Sequence, residues 1–66
     1  MAIVKTIEVI ASSDKGWDDA AKNGIKQAGK TVKNIKSAWV SDQKAIVKGD
    51  EIVEFRVNLK ISFEIS

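Results

Sequence analysis

The amino-acid sequence predicts an α+β protein with the order strand, helix, strand, strand. Three observations carry this. Residues 53–65 alternate apolar and polar side chains with period two. A stripe of apolar and small residues beginning at Trp17 recurs at helical spacing. Turn-forming residues cluster in two places, Ala11-Ser12-Ser13-Asp14-Lys15-Gly16 and Val47-Lys48-Gly49-Asp50-Glu51.

Residues 3–11 are rich in Ile and Val and read as the first strand. Ser12, Ser13 and Gly16 break it and offer helix N-cap candidates. Asp18 and Asp19 follow where the helix dipole favours acids. Trp17, Ala20, Ala21, Gly24, Ile25, Ala28 and Val32 form one stripe, with Asp18, Lys22, Asn23, Lys26, Lys30 and Lys33 on the polar side, so a helix is expected over 16–33. Ala and Gly on the stripe imply a helix lying close against a sheet.

Two further strands are expected over 35–47 and 51–65, joined as a hairpin at Lys48-Gly49-Asp50. In the last, Val53, Phe55, Val57, Leu59, Ile61, Phe63 and Ile65 alternate with Glu54, Arg56, Asn58, Lys60, Ser62 and Glu64. In the middle strand Ala38, Val40 and Ile46 are assigned to one face. Ser37, Trp39, Ser41, Gln43 and Ala45 are assigned to the other.

The 66 residues make a single domain, 1–66. A chain this short buries only about 60% of its unfolded surface and is marginal alone. Disulfides, metals and oligomerisation are the usual remedies. With no Cys and no His, disulfides, thiolate metal sites, the commonest metal ligand and the commonest neutral-pH base are all excluded. Oligomerisation is left. The strand lengths agree. A helix of about 17 residues spans roughly 26 Å and a strand of about 14 spans roughly 46 Å. One helix cannot cover that strand, so the expected partner is another copy of the chain.

The N-terminus Met1-Ala2-Ile3-Val4-Lys5-Thr6 shows no signal-peptide core, and no stretch is apolar enough to span a membrane. A cytoplasmic location is expected. A net charge of +2, with lysines spread over helix and strands and no cluster of exposed aromatics, does not suggest nucleic-acid binding. Asp14, Asp18, Asp19 and Asp50 lie near turns without a metal-loop spacing, so no dedicated metal site is expected, although symmetry can gather carboxylates on an axis. Gly24, Gly29 and Gly49 form no phosphate-binding loop, and no nucleophile–base motif is present, which argues against an enzyme. Trp39 is assigned away from the helix. It packs in a subunit interface, stacks on a flat ligand, or lies beside a strand bulge.

At this point the chain resembles the dodecin family over nearly its whole length. The resemblance rests on Val4-Lys5-Thr6-Ile7-Glu8-Val9-Ile10 with Ser12-Ser13. It continues in Trp17-Asp18-Asp19-Ala20-Ala21, where Gly16 replaces the usual Ser, and in Thr31-Val32-Lys33-Asn34-Ile35. It closes with Val40-Ser41-Asp42-Gln43 and with Glu54-Phe55-Arg56-Val57-Asn58-Leu59-Lys60-Ile61-Ser62-Phe63-Glu64. Each segment is weak alone; their order and spacing together are specific. The resemblance implies a three-stranded antiparallel sheet wrapped around one helix, and twelve copies in a hollow shell. It also implies storage of flavins such as FMN and riboflavin, stacked between tryptophans of neighbouring subunits and held by a glutamine of the last strand.

Two positions depart from that pattern. The stacking tryptophan's place, three residues after Asn34, holds Ser37, while Trp39 lies two residues on, roughly 7 Å along the strand. The glutamine's place after Phe55 holds Arg56, a donor-only cation suited to anions or to an ion pair with Glu54, Glu64 or Asp42. Gln43 matches a family position. The candidate ligand-binding residues are therefore Trp39, Arg56, Gln43 and Ser37. The function expected is a non-enzymatic small-molecule binding or storage shell of the dodecin type. The alternative is a structural or stress-related assembly without flavin, binding another anionic ligand or a divalent cation.

Overall fold

A computed structural model describes residues 3–65. Met1, Ala2 and Ser66, part of the expected domain, lie outside the described residues. Four elements follow in order: β1 (Val4–Ser13), α1 (Trp17–Ala28), β2 (Ile35–Lys48) and β3 (Glu51–Glu64). The strands form one antiparallel sheet in the order β1-β3-β2. The last strand is thus central, paired along both edges, and its alternation turns one row of side chains toward the helix. The chain leaves β1, crosses the sheet as α1 and returns in β2, with β3 between the two.

The side of the sheet under α1 carries the core. Ala20, Val57, Leu59 and Ile61 are buried, with Ile7, Val9, Ala11, Trp17, Ala21, Ile25, Ala28 and Ile35 packed around them. Ile7, Val9 and Ala11 stand directly opposite Ile61, Leu59 and Val57 in the ladder. Gly24 lets the helix approach. A Cβ placed there would meet Ala11 Cβ and Leu59 Cδ1, each at 2.8 Å. Trp17 sets its ring edge-on to Phe55, centroids 4.9 Å apart, and donates its indole N–H to the Lys44 carbonyl at 3.1 Å, fastening the helix start to both strands of the hairpin.

The N-cap position falls to Gly16, whose backbone is extended. Ser13 has another task. Its hydroxyl accepts from the Lys15 N–H and donates to Asp19 Oδ2 at 2.6 Å, and Asn23 donates to the same oxygen. The end of β1 is thereby tied to the first turn of the helix.

The helix is shorter than the stripe predicts, ending at Ala28 rather than at residue 33. The chain tightens there: Lys30 N bonds Gln27 O and Thr31 N bonds Ala28 O, both i→i+3. Gly29 and the β-branched pair Thr31-Val32 have weak helix preference, so nothing local resists the change. Asn34 then takes a left-handed φ of 65°, which asparagine tolerates, and its carbonyl accepts the Glu64 N–H.

The hairpin closes through Gly49-Asp50, with Lys48 opposite Glu51. Only the first loop residue has positive φ, Gly49 at 66°. That is the pattern of a type II′ turn, which places Gly first. Gly49→Ala is expected to destabilise the protein by about 1–2 kcal/mol, the usual cost of a side chain in the left-handed region. Gly49→Asn should cost less. Urea midpoints of the two variants check the order.

The expected geometric mismatch is present. The molecule measures 51 × 19 × 13 Å. Twelve helical residues span about 18 Å and fourteen strand residues about 46 Å. The helix covers β1 and the middle of β3 and reaches β2 chiefly through Trp17 at the Lys44 carbonyl, so Ala38 and Val40 are exposed although they lie on the helix side.

Candidate functional site

The helix-free face of the sheet is built by the pairs that flank the buried row of β3. Because β3 alternates, Glu54, Arg56, Asn58, Lys60 and Ser62 point away from the helix, opposite Val57, Leu59 and Ile61. Directly opposite residues share a face. Lys60 stands between Glu8 and Trp39, and Ser62 between Thr6 and Ser37. Asn58 stands between Ile10 and Asp42, and Arg56 between Ser12 and Lys44.

Trp39 is 63% exposed on this face. Lys60 Nζ lies 4.9 Å from its ring centroid, a cation–π contact that occupies one side of the indole. One row away, Ser37 faces Ser62, whose hydroxyl is 3.2 Å from that of Thr6. Trp39 and Ser37 are therefore neighbours, as their spacing predicts. Arg56 shares the face but sits four residues from Lys60, roughly 13 Å along the strand. Its guanidinium grips Glu54 Oε2 through Nε at 3.1 Å and through Nη2 at 2.9 Å. Of the anticipated partners of Arg56, the structure selects Glu54, on the same face of the same strand.

Gln43 is elsewhere. The expected grouping of Trp39, Ser41, Gln43 and Ala45 on one face holds only as far as Val40. The hairpin starts in a register that would place Gln43 opposite Arg56. Val53 is then an extra residue on β3, between the pairs Val47–Ile52 and Ile46–Glu54. Ser41 is an extra residue on β2, between Val40–Leu59 and Asp42–Asn58. The two bulges compensate, so the register on either side is the same, but the segment 42–46 between them is turned over. Gln43 and Ala45 stand opposite Val57 and Phe55 on the helix side, and Ile46 opposite Glu54 on the free side. Gln43 there lines a shallow cleft at the helix start with Lys15, Gly16, Trp17, Asp18 and Asp19.

A single protomer thus splits the four candidates. Ser37 and Trp39 are adjacent, Arg56 is farther along the same face, and Gln43 is on the opposite face. Lys60 is the partner of Trp39 that the sequence reading passed over, although counting back from a two-residue turn at Gly49-Asp50 pairs 39 with 60. Chemically, the exposed indole is a stacking surface, and the Lys60 ammonium beside it, with Glu8 opposite, is the cation nearest to it. The cleft near Asp18 and Asp19 also contains Lys15. Among the described residues no three potential metal-ligating side chains come together.

Comparison with known proteins gives a consistent result. A family model described as Dodecin matches residues 3–66. The calcium dodecin of Mycobacterium tuberculosis is 30% identical over 64 residues, covering 97% of this chain and 90% of that protein. The structure of dodecin from Streptomyces davaonensis superposes with a TM-score of 0.94 at 23% identity, covering 98% of this chain and 96% of that one. The structure of the M. tuberculosis calcium dodecin, described as calcium chelating with a novel calcium-binding site, has a TM-score of 0.84 at 28% identity, covering 97% and 91%.

Proposed function

The chain belongs to the dodecin family, and on that premise we propose that it acts in the cytoplasm as a non-enzymatic homododecameric shell that binds a flat, anionic small molecule against Trp39. One observation carries the assembly: among the described residues only Ala20, Val57, Leu59 and Ile61 are buried, while Ile3, Val4, Ile10, Trp39, Val40, Val47, Ile52, Val53 and Ile65 are exposed. A monomer with that distribution leaves apolar surface and two strand edges open to water, and symmetric association closes both.

The ligand reading is supported by Trp39 itself. A largely exposed indole on a polar sheet face, with a lysine ammonium over its ring, suits a planar ring bearing negative charge. FMN has that chemistry and riboflavin lacks the phosphate. In a fluorescence-quenching titration FMN is expected to bind more tightly than riboflavin. Trp39→Ala should weaken FMN by about tenfold, since stacking contributes about 0.5–1.5 kcal/mol beyond area, with the assembly's mass unchanged. Equal binding by the variant would remove Trp39 from the site.

A second reading has its own observation. Arg56, which stands at the family's flavin-contact position, already spends its guanidinium on Glu54, as a structural ion pair would. In that reading the shell is a structural or stress-related assembly without flavin. The M. tuberculosis relative is named for calcium, so Ca²⁺ belongs beside FMN in the titration. A calcium-dependent rise in melting temperature with no flavin quenching would favour a cation-holding shell.

A further inference from the structure

From Ala20 to Ser41 the chain contains no acidic residue, yet it holds Lys22, Lys26, Lys30, Lys33 and Lys36. Lys22 and Lys26 lie one turn apart on α1, and Lys30 follows at the same interval just past its end. All five are exposed. Lys36 has a carboxylate nearby, Glu64 at 3.8 Å. The free face of the sheet is different, because there charges alternate: Glu8 stands opposite Lys60, and Arg56 is paired with Glu54. From Lys22 onward positive charge is therefore segregated onto the exposed side of the helix, with exposed Asp18 standing one turn before Lys22 at the start of the row.

Folding does not call for this arrangement. Like charges at i,i+4 oppose helix formation, and an acid at one of these positions would reverse the sign. The helix dipole accounts for a cation in the last turn, Lys26, and Asp18 one turn earlier suits Lys22, but neither calls for the unbroken run of lysines through Lys30 and Lys33. Point-group symmetry gives every copy the same disposition relative to the centre, so an assembly of this chain repeats the stripe in equivalent places and its potential accumulates.

The composition of the stripe selects its ligand. Lysine is a compact point charge with three donors, suited to phosphate oxygens. The stripe has no arginine and no aromatic side chain, since Arg56, Trp39 and Phe63 are on the sheet and Trp17 packs on Phe55. Single-stranded nucleic acids are generally held by stacking on aromatic side chains as well as by charge. We propose that the lysine face of α1 binds condensed inorganic phosphate, a linear polyanion recognised by charge alone. This does not depend on a ligand at Trp39.

The test is calorimetric titration of the assembled protein with tripolyphosphate at low ionic strength and again at about 0.15 M salt, where the screening length is about 8 Å. Saturable binding that weakens steeply with salt is expected. Substituting K22Q, K26Q and K30Q together should weaken it by about tenfold or more. Substituting K5Q, K44Q and K48Q, which removes the same charge elsewhere, should change it less than about twofold. As a check that needs no variant, tripolyphosphate should protect Lys22, Lys26 and Lys30 of the wild-type protein from amine acylation, and leave Lys5, Lys44 and Lys48 reactive. The proposal is overturned by an absence of binding at low salt, by equal loss in both triple variants, by protection that ignores the stripe, or by an oligothymidylate of equal charge binding as tightly.

Discussion

Replacing Leu59 with alanine is expected to lower stability by about 2–5 kcal/mol, the range for truncating a buried leucine. Leu59 has no exposed surface and lies at the centre of a core that holds, among the described residues, only three other buried side chains, Ala20, Val57 and Ile61. It stands between Val9 on β1 and Val40 on β2, and its Cδ1 lies under Gly24 of the helix. Every element of the protomer therefore loses a contact. A stability of 5–15 kcal/mol is usual for a domain, and one this small sits at the lower end. The variant is expected to melt far below the wild type, and scanning calorimetry at fixed protomer concentration would show it. A drop of less than about 1 kcal/mol would mean that the site collapses to fill the space, contrary to the packing described.

Gly24→Val should be of similar size for the opposite reason. The first added carbon already meets Ala11 Cβ and Leu59 Cδ1 at 2.8 Å. The leucine methyl can swing by a rotamer change, but Ala11 Cβ is fixed to the β1 backbone, so the strand or the helix must move. Overpacking of a tight core usually costs about 1–3 kcal/mol, and two further methyl groups place valine at or above the top of that range. Gly24→Ala is gentler, because alanine recovers about 1 kcal/mol of helix propensity. Combining Gly24→Ala with Leu59→Ala should cost less than the two single changes added, since each relieves part of the other's defect. Additivity would show that helix and strand are not in contact at this point.

The parts of the fold that were legible in the sequence are those governed by repetition. The alternation from Phe55 to Phe63 identifies β3 and its buried row, and the Ala and Gly of the helix stripe anticipate the close approach at Gly24. The end of the helix was not legible, because the stripe continues through Val32 while the backbone has already tightened at Gly29. Polar patterning says where a side chain would be comfortable, not where the hydrogen-bond ladder stops. Gln43 shows the same limit more sharply. Its face depends on two single-residue bulges, at Val53 and Ser41, whose effects cancel outside residues 42–46. Neither residue type signals a bulge, and a strand of unbroken period places Gln43 beside Arg56. The partnership of Trp39 with Lys60 lies outside that segment, so turn arithmetic suffices to find it.

The site follows the same division. Ser37 and Trp39 share a face because two residues of a regular strand must. Arg56 was open to several acidic partners, and the choice of Glu54 came from side-chain geometry on one strand rather than from sequence spacing. In the proposed shell a neighbouring copy completes the surface around Trp39. The apolar residues left exposed, from Val4 and Ile10 on β1 to Val47 and Ile52 at the hairpin, make that completion the central claim. Size-exclusion chromatography coupled to light scattering measures it directly. Twelve copies of the 7.2 kDa chain predict a single species of about 86 kDa that persists on dilution. A mass of one or two protomers would contradict the account.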